Sequence, residues 1–336
     1  MVTFRFSGST LSRMSRFLPW IVLLMISAVW GGAFTAIRLL VQVISPAELL
    51  IMRFIPTTLL AVLWLFLFYR NAITTLLPRF WFLFVILSAI WLFGYHYALN
   101  VGETVLPASV AGLIIATYPV FTVFLAAPFL KERLTLPKVA GGLIAFAGTA
   151  FLTIYGAGEE GAQLDVPPVQ WITFSLITLI SPIAAAIHTL IARPYLTGKN
   201  KSGTKIDPVV LTLAYMAPGG ILSLALYKPG LMEQTISMSG TLWLALGFLV
   251  IFCTIGAYIG WFWALTRVEA GPAAIFTYII PIFTITYGKL WLDEPIGMPV
   301  IVGAAGIVAG VAITGLGELL QNGSRIKTMI TRQPVK

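Results

Sequence analysis

Charged residues are scarce in this chain: Asp, Glu, Lys and Arg make up 10% of its 336 residues, against 59% hydrophobic. A soluble domain carries roughly a quarter charged residues, so a water-soluble globule is excluded. The mean hydropathy of +0.95 describes a chain that crosses a membrane many times. Cysteine is nearly absent. The one thiol, Cys253, rules out an intrachain disulfide and a Cys-based metal cluster, and its apolar surroundings suit a small packing residue. Acidic groups are missing from the middle of every apolar run, where a tightly proton-coupled pump normally places one. Only a histidine, or a Glu103 set deeper than its position suggests, is left to serve. There are no paired aspartates, no HExxH, no Cys/His cluster and no Walker motif. An intramembrane hydrolase and a self-contained ATPase therefore both lack their usual groups, and the reading is not an enzyme. Nothing calls for a cofactor or a metal.

What the chain has is long apolar runs. A membrane-crossing helix needs about 20 mainly apolar residues, and ten segments qualify: 18–41, 47–69, 80–100, 107–130, 138–155, 170–193, 208–227, 241–265, 271–292 and 299–319. The expected fold is an all-α polytopic membrane protein. The basic N-terminal segment 1–17 precedes an apolar run too long for a signal-peptide core. It reads as an uncleaved signal-anchor, with a short organelle transit peptide as the alternative.

The excess of basic residues, 21 against 12 acidic, is a topology signal and requires no nucleic-acid partner. With the N-terminus inside, one set of loops holds Arg5, Arg13, Arg16, Arg70, Arg79, Lys131, Arg133, Lys138, Arg193, Lys199, Lys201, Lys205, Arg267 and the basic tail. The other set keeps little beyond Arg38 and Lys228, and its longest loop carries Glu159, Glu160 and Asp165. The positive-inside rule then puts both termini in the cytoplasm, in a bacterial inner (plasma) membrane ahead of an organelle membrane.

The stretch "IIATYPVFTVFL" at 114–125 sets Pro119 inside an apolar span, and "YIIPIFTITYGKLWLDE" at 278–294 does the same with Pro281. An ungapped alignment of the two prolines pairs Phe121 with Phe283, Thr122 with Thr284, Leu130 with Leu292, Glu132 with Glu294 and Pro137 with Pro299. Gly141 and Gly148 then meet Gly303 and Gly310. This is an internal duplication. Five spans per half is an odd number, so the second half enters the membrane from the opposite side. The division is a cytoplasmic segment 1–17, a first five-helix repeat 18–155, a linker 156–169, an inverted second repeat 170–319 and a basic tail 320–336. Inverted repeats belong to secondary transporters, with the substrate near the midplane between halves. Pro119 and Pro281 are candidate hinge or gating positions. A proline removes a helix hydrogen bond, tolerated at membrane depth beside protein or a watery cavity; a plain packing kink is the other reading.

Several motifs occur in a recognisable order: "WGGAFTAIR" in the first span, "PAELLIMRF" in the second, "YPVFTVFLAAPFLKERLTLPKVAGGLIAFAGT" across the fourth and fifth, and "IPIFTITYGKLWLDEPIGMPVIVGAAGIVAG" across the last two. The chain resembles the EamA-type families of the drug/metabolite transporter superfamily over nearly its whole length. The resemblance implies ten spans in two inverted five-helix repeats, and export or exchange of amino acids, other metabolites, cofactors or toxic organic compounds. It makes the Trp30-Gly31 pair, Arg53, Pro119 with Glu132, and Pro281 with Glu294 typical positions. The second-repeat "LDEP" lacks the usual Gly before and basic residue after its Glu, so this loop is expected to differ from its first-half partner.

Polar groups inside spans are functional candidates by default. Arg53 lies roughly 9 Å into the second span at about 1.5 Å per residue, where a guanidinium suits a carboxylate or phosphate. Pairing with Glu48 or Glu103, or snorkelling to the interface, is the structural alternative. His96 and His188 are candidate proton relays, although Asn100 is one turn from His96 and would hydrogen-bond it. Lys289 precedes Asp293 by four residues, the spacing of a same-face ion pair. Trp30, Tyr95, Tyr97, Tyr118, Tyr215, Trp261, Trp263 and Tyr278 are candidates to stack on an organic solute or hold an ammonium, or to fill core and interface. Gly306 with Gly310, and Gly141 with Ala145, permit close helix contact, within a monomer or in a homodimer.

These features predict a secondary active or facilitative carrier of small organic solutes in a lipid bilayer. Export of amino acids or related aromatic metabolites by alternating access leads. The alternative is a carrier of organic cations and drugs, or of cofactor- or nucleotide-like metabolites.

Overall fold

A computed structural model describes residues 8–130, 134–156, 166–231, 233–236, 238–265, 267 and 275–330. Those residues are helical and carry no strand. Helix α1 is Gly8–Val41, α2 Pro46–Phe68, α3 Arg70–Gly102, α4 Ala108–Ile115 and α5 Tyr118–Leu130. Then follow α6 Leu136–Tyr155, α7 Pro168–Thr197, α8 Pro208–Leu226, α9 Gly240–Leu265, α10 Ile280–Leu292 and α11 Met298–Ile330. Among the described residues nine helical stretches are long and apolar enough to span a membrane. The expected span 271–292 is described from residue 275 only, as a 3-10 turn, Ile275–Ile279, leading into α10.

Local sequence sets the helix starts. Ser45 caps α2, its Oγ accepting from Glu48 N at 3.2 Å, with Pro46 following as first residue. Asp207 caps α8 by accepting from Val209 N at 2.8 Å and Val210 N at 3.2 Å, again before a proline. Both satisfy N–H groups that a helix leaves unpaired. The expected basic connector at 70–79 is instead helical. Helix α3 begins at Arg70 and bends at Phe80 (φ −120°, ψ 19°), just beyond Pro78. The charges at 70 and 79 mark the end of a long helix rather than a loop.

The glycine motifs pack α6 against α11 within the chain. A Cβ at Gly141 would come 2.5 Å from Gly310 O, and one at Gly310 would come 2.3 Å from Ala145 N. Only glycine allows that approach of backbones. On the outer surface Leu59, Phe66, Trp81, Phe82, Leu244, Ile282 and Leu290 are exposed, as side chains facing lipid must be. Lys289 Nζ meets Asp293 Oδ1 at 2.6 Å on this exposed side, and the ion pair holds the Asp293 carboxyl below the usual carboxylate range.

Two breaks of regularity recur in both halves. The α-helix is interrupted between α4 and α5 at residues 116–117, and before α10 at the 3-10 turn, so Pro119 and Pro281 each lie in the first turn of a half-helix. Ile90–Tyr97 in α3 and Phe248–Gly256 in α9 are wound as π-helix. Such wider turns cluster at functional sites because they leave backbone groups and side chains out of register.

Candidate functional site

At one end of the bundle, where residues 42–45, 103–107 and 293–297 connect helices, the structure is shut. Glu294 is buried. Its carboxylate accepts from Ala108 N at 2.6 Å and Ser109 N at 3.0 Å, closing the N-terminus of α4 where backbone N–H groups and the helix dipole favour an anion. Arg38 donates to the backbone carbonyl of Glu103, and Thr235 donates to the Glu48 carboxylate. Glu103 itself is fully buried, and neither carboxylate oxygen has a hydrogen-bond partner. Burial holds this carboxyl, which follows the end of the α3 span, well above the usual range; Arg38 opposes the shift and Glu294 adds to it. Glu294 thus has a defined task in its divergent loop. Its first-half counterpart Glu132 lies outside the described residues.

Behind this seal is a cavity of about 400 Å³, within the range of small-molecule sites. Its wall runs from Phe34, Ile37 and Leu99 to Arg193, Leu196 and Pro208 at the opposite end, and includes Pro119 and Pro281 from both half-helices. Arg53 projects from α2 toward the π-wound turns of α9 and α3. Its Nε and Nη2 donate to Thr254 Oγ1 at 3.3 and 3.1 Å, and its Nη1 lies 3.4 Å from His96 Nδ1. Thr254 can accept both because its own hydroxyl hydrogen goes to Leu249 O at 2.8 Å, five residues back. That carbonyl is within reach through the π winding.

This arrangement corrects two expectations. Arg53 pairs with neither Glu48 nor Glu103, and none of its described hydrogen bonds goes to a carboxylate. His96 does not bond Asn100, whose Nδ2 instead donates to Pro46 O at 3.4 Å; the arginine across the bundle is the nearer partner. Arginine has only donors, so His96 Nδ1 must accept and the ring proton sits on Nε2.

The aromatic wall centres on Trp91. Its ring stacks on Tyr95 at 4.5 Å with planes 3° apart, stands perpendicular to His96 at 5.2 Å, and lies 5.2 Å from His188. Trp30 donates from Nε1 to Cys253 O at 3.0 Å and contacts Tyr258 and Trp261, each at 5.6 Å. Tyr118 hydroxyl and Thr189 Oγ1 are 3.0 Å apart. Cys253 is buried and free, and also borders the cavity.

A sequence model of the EamA-like transporter family matches this chain twice, at residues 18–154 and 175–316. The chain belongs to the EamA-like transporter family. An uncharacterized transporter of Archaeoglobus fulgidus is 32% identical over 300 residues, covering 88% of this chain and 97% of the relative. A "probable terminal-alkyne amino-acid exporter" of Streptantibioticus cattleyicolor is 27% identical over 224 residues, covering 66% and 68%. A crystal structure at 19% identity superposes with a TM-score of 0.56 over 90% of this chain and 97% of that one, and shares the fold.

In this EamA-like chain the cavity gathers Trp30, Arg53, Tyr95, His96, Tyr118, His188, Tyr215 and Trp261 of the expected residues. Tyr97 packs instead with Leu50, Phe54 and Leu92, and Trp263 with Leu23 and Ala264. Asn100 is buried beside Pro46, off the cavity wall. The Tyr278 side chain lies outside the described residues. Sequence reasoning missed Trp91, Thr254 and Tyr258, all near or within the π-wound turns.

Proposed function

We propose that this protein is a secondary carrier that exports amino acids or related aromatic metabolites by alternating access between its two halves, 18–155 and 170–319. One observation carries the reading. A buried guanidinium, Arg53, stands in an aromatic cavity with no carboxylate among its described hydrogen-bond partners. An uncompensated buried cation is costly, and a solute carboxylate would offset that cost through paired hydrogen bonds. The rings around it suit the apolar part of such a solute. The amino-acid exporter named among the relatives supports the substrate class.

The geometry also suits a two-ended cavity. The Glu294 cap seals one end, the wall reaches Arg193 and Pro208 at the other, and the half-helices at Pro119 and Pro281 offer equivalent bend points. The distribution of lysine and arginine supports cytoplasmic termini in a plasma membrane, which would put the sealed end outside. An organic-cation carrier is disfavoured by Arg53. The test is a thermal-shift panel on purified protein with amino acids, nucleobases, organic phosphates and cationic drugs, since a ligand of the folded state raises its melting temperature. Amino-acid or aromatic hits that vanish in Arg53→Ala support the reading. Hits confined to cations or nucleotide-like solutes overturn the substrate class.

A further inference from the structure

Glu103 is the most completely buried carboxyl among the described residues, at 0% exposure, and neither of its oxygens has a hydrogen-bond partner. It directly follows α3, its N–H donating to Leu99 O at 2.9 Å. Glu294, at the same sealed end, is buried too, but its charge is met by two helix N–H groups. Glu103 has no such outlet. A carboxylate held away from water without partners is far costlier than the neutral acid. The strongest opposing charge is Arg38 of α1, which donates to the Glu103 backbone carbonyl and not to the carboxylate. Glu294 works against it from the other side. Arg53 of α2 and Tyr95 of α3 lie within electrostatic reach, while Glu48, at the head of α2, is engaged by Thr235. Helix α4 has no titratable side chain. Helix α7 meets Gly102 with Thr178, whose hydroxyl donates to Phe174 O at 2.8 Å. Glu103 is also off the cavity wall. Leu99, one turn before it, and Phe34, one turn before Arg38, line the cavity in its place and belong to one apolar cluster. Glu103 itself is part of the seal, so the water it meets when this end opens is that of the 293–297 side.

We propose that Glu103 is a one-sided proton gate: the end at 293–297 shuts only with Glu103 neutral, the proton is taken from and returned to the solution on that side, and it is not carried across with the solute. On opening, the Glu103 O–H bond breaks and the proton passes to water on the 293–297 side; on closing the same step runs in reverse. The net proton count over a transport cycle is zero. The proposal rests on the reading of this chain as an alternating-access carrier and adds the control of one gate by the pH of one compartment. Because burial raises the carboxyl of the closed form, its contribution to closure is complete below the hydrated value and is lost as pH rises through the raised one. Between the two values, closure weakens by up to about tenfold per pH unit.

Two measurements on the full chain test it. Infrared spectra of the purified protein should show the C=O band of a buried carboxylic acid at neutral pH. Glu103→Gln should remove that band, and so should Glu294→Ala, which leaves residue 103 in place but admits water to it. Exchange of labelled for unlabelled phenylalanine is then followed in vesicles of either orientation, with the pH of each face set separately. Acidifying the 293–297 face should slow exchange by up to about tenfold per unit, and acidifying the other face should leave it unchanged. Glu103→Gln, locked neutral, should be slow and indifferent to pH on both faces. A pH gradient alone should not concentrate phenylalanine. Absence of the neutral-pH band, or its survival in Glu103→Gln, overturns the assignment of the proton to Glu103. Exchange that follows the pH of the opposite face overturns the one-sided gate, and accumulation driven by a pH gradient makes the proton cargo instead. Lack of phenylalanine exchange at every pH, with the band present and Glu103-dependent, counts against the amino-acid carrier and not against the buried proton.

Discussion

Replacing Glu294 by alanine should release the sealed end. The carboxylate accepts two backbone N–H groups, at 2.6 and 3.0 Å, in a buried setting at a helix N-terminus. Hydrogen bonds to a charged group contribute about 1.5–3 kcal/mol each. When the end opens, water can reach Ala108 N and Ser109 N and recover part of that. A net loss of about 3 kcal/mol from the closed form follows, roughly two powers of ten in its equilibrium with the open form at about 1.4 kcal/mol per decade. Cys253 supplies the assay, because it is the sole cysteine, is buried, and borders the cavity. A membrane-impermeant maleimide added on the side of residues 293–297 should alkylate Glu294→Ala about a hundredfold faster than the parent. Glu294→Gln keeps one acceptor and turns an amide N–H toward the other donor, so it should fall between. Equal rates in parent and alanine variant, with equal melting temperatures, would refute the role of this cap.

Three further outcomes follow. The Glu103 carboxyl is raised by burial, so in the closed form it holds its proton to a higher pH than it would once hydrated. An acid with a raised value stabilises the closed form at low pH and loses that contribution as pH rises through it. Labelling of Cys253 from the 293–297 side should accelerate as pH rises, and Glu103→Gln should flatten the profile; Arg38, Glu294 and Arg53 are the charged groups that act on it. Gly141→Val should lower the melting temperature sharply, because its Cβ would meet Gly310 O at 2.5 Å and the Thr314 backbone N at 2.6 Å; an unchanged thermal transition would show that α6 and α11 are not in this contact. Thr254→Val removes the acceptor of two Arg53 bonds and should lower carboxylate affinity about tenfold or more by letting the guanidinium swing away, as read by calorimetry.

The helices and their breaks could be read in the chain because lipid imposes simple demands. Apolar runs of fixed length mark spans, two prolines at matching positions mark matching breaks, and glycines four apart mark the close face of α11. The site was only half legible. Arg53 stood out because a charge inside a span is costly, yet its partner His96 lies 43 residues away, and spacing favoured the wrong neighbour, Asn100. Trp91 was passed over because a tryptophan in a membrane span usually reads as an anchor. The π winding that brings His96 and Thr254 to Arg53 leaves no trace in a 3.6-residue period. Glu294 was flagged by its unusual loop, but its contact with α4 spans 186 residues and had no sequence signal.

Counterflow in proteoliposomes bears most directly on the central claim of a carrier with one cavity and two mutually exclusive ends. Vesicles are preloaded with an unlabelled solute that the thermal-shift panel identifies and challenged outside with the same solute in trace labelled form. The account predicts saturable uptake, transiently above equilibrium and faster than into empty vesicles, and abolished by Arg53→Ala. Uptake that is linear in concentration and indifferent to the preload would contradict it and indicate a channel.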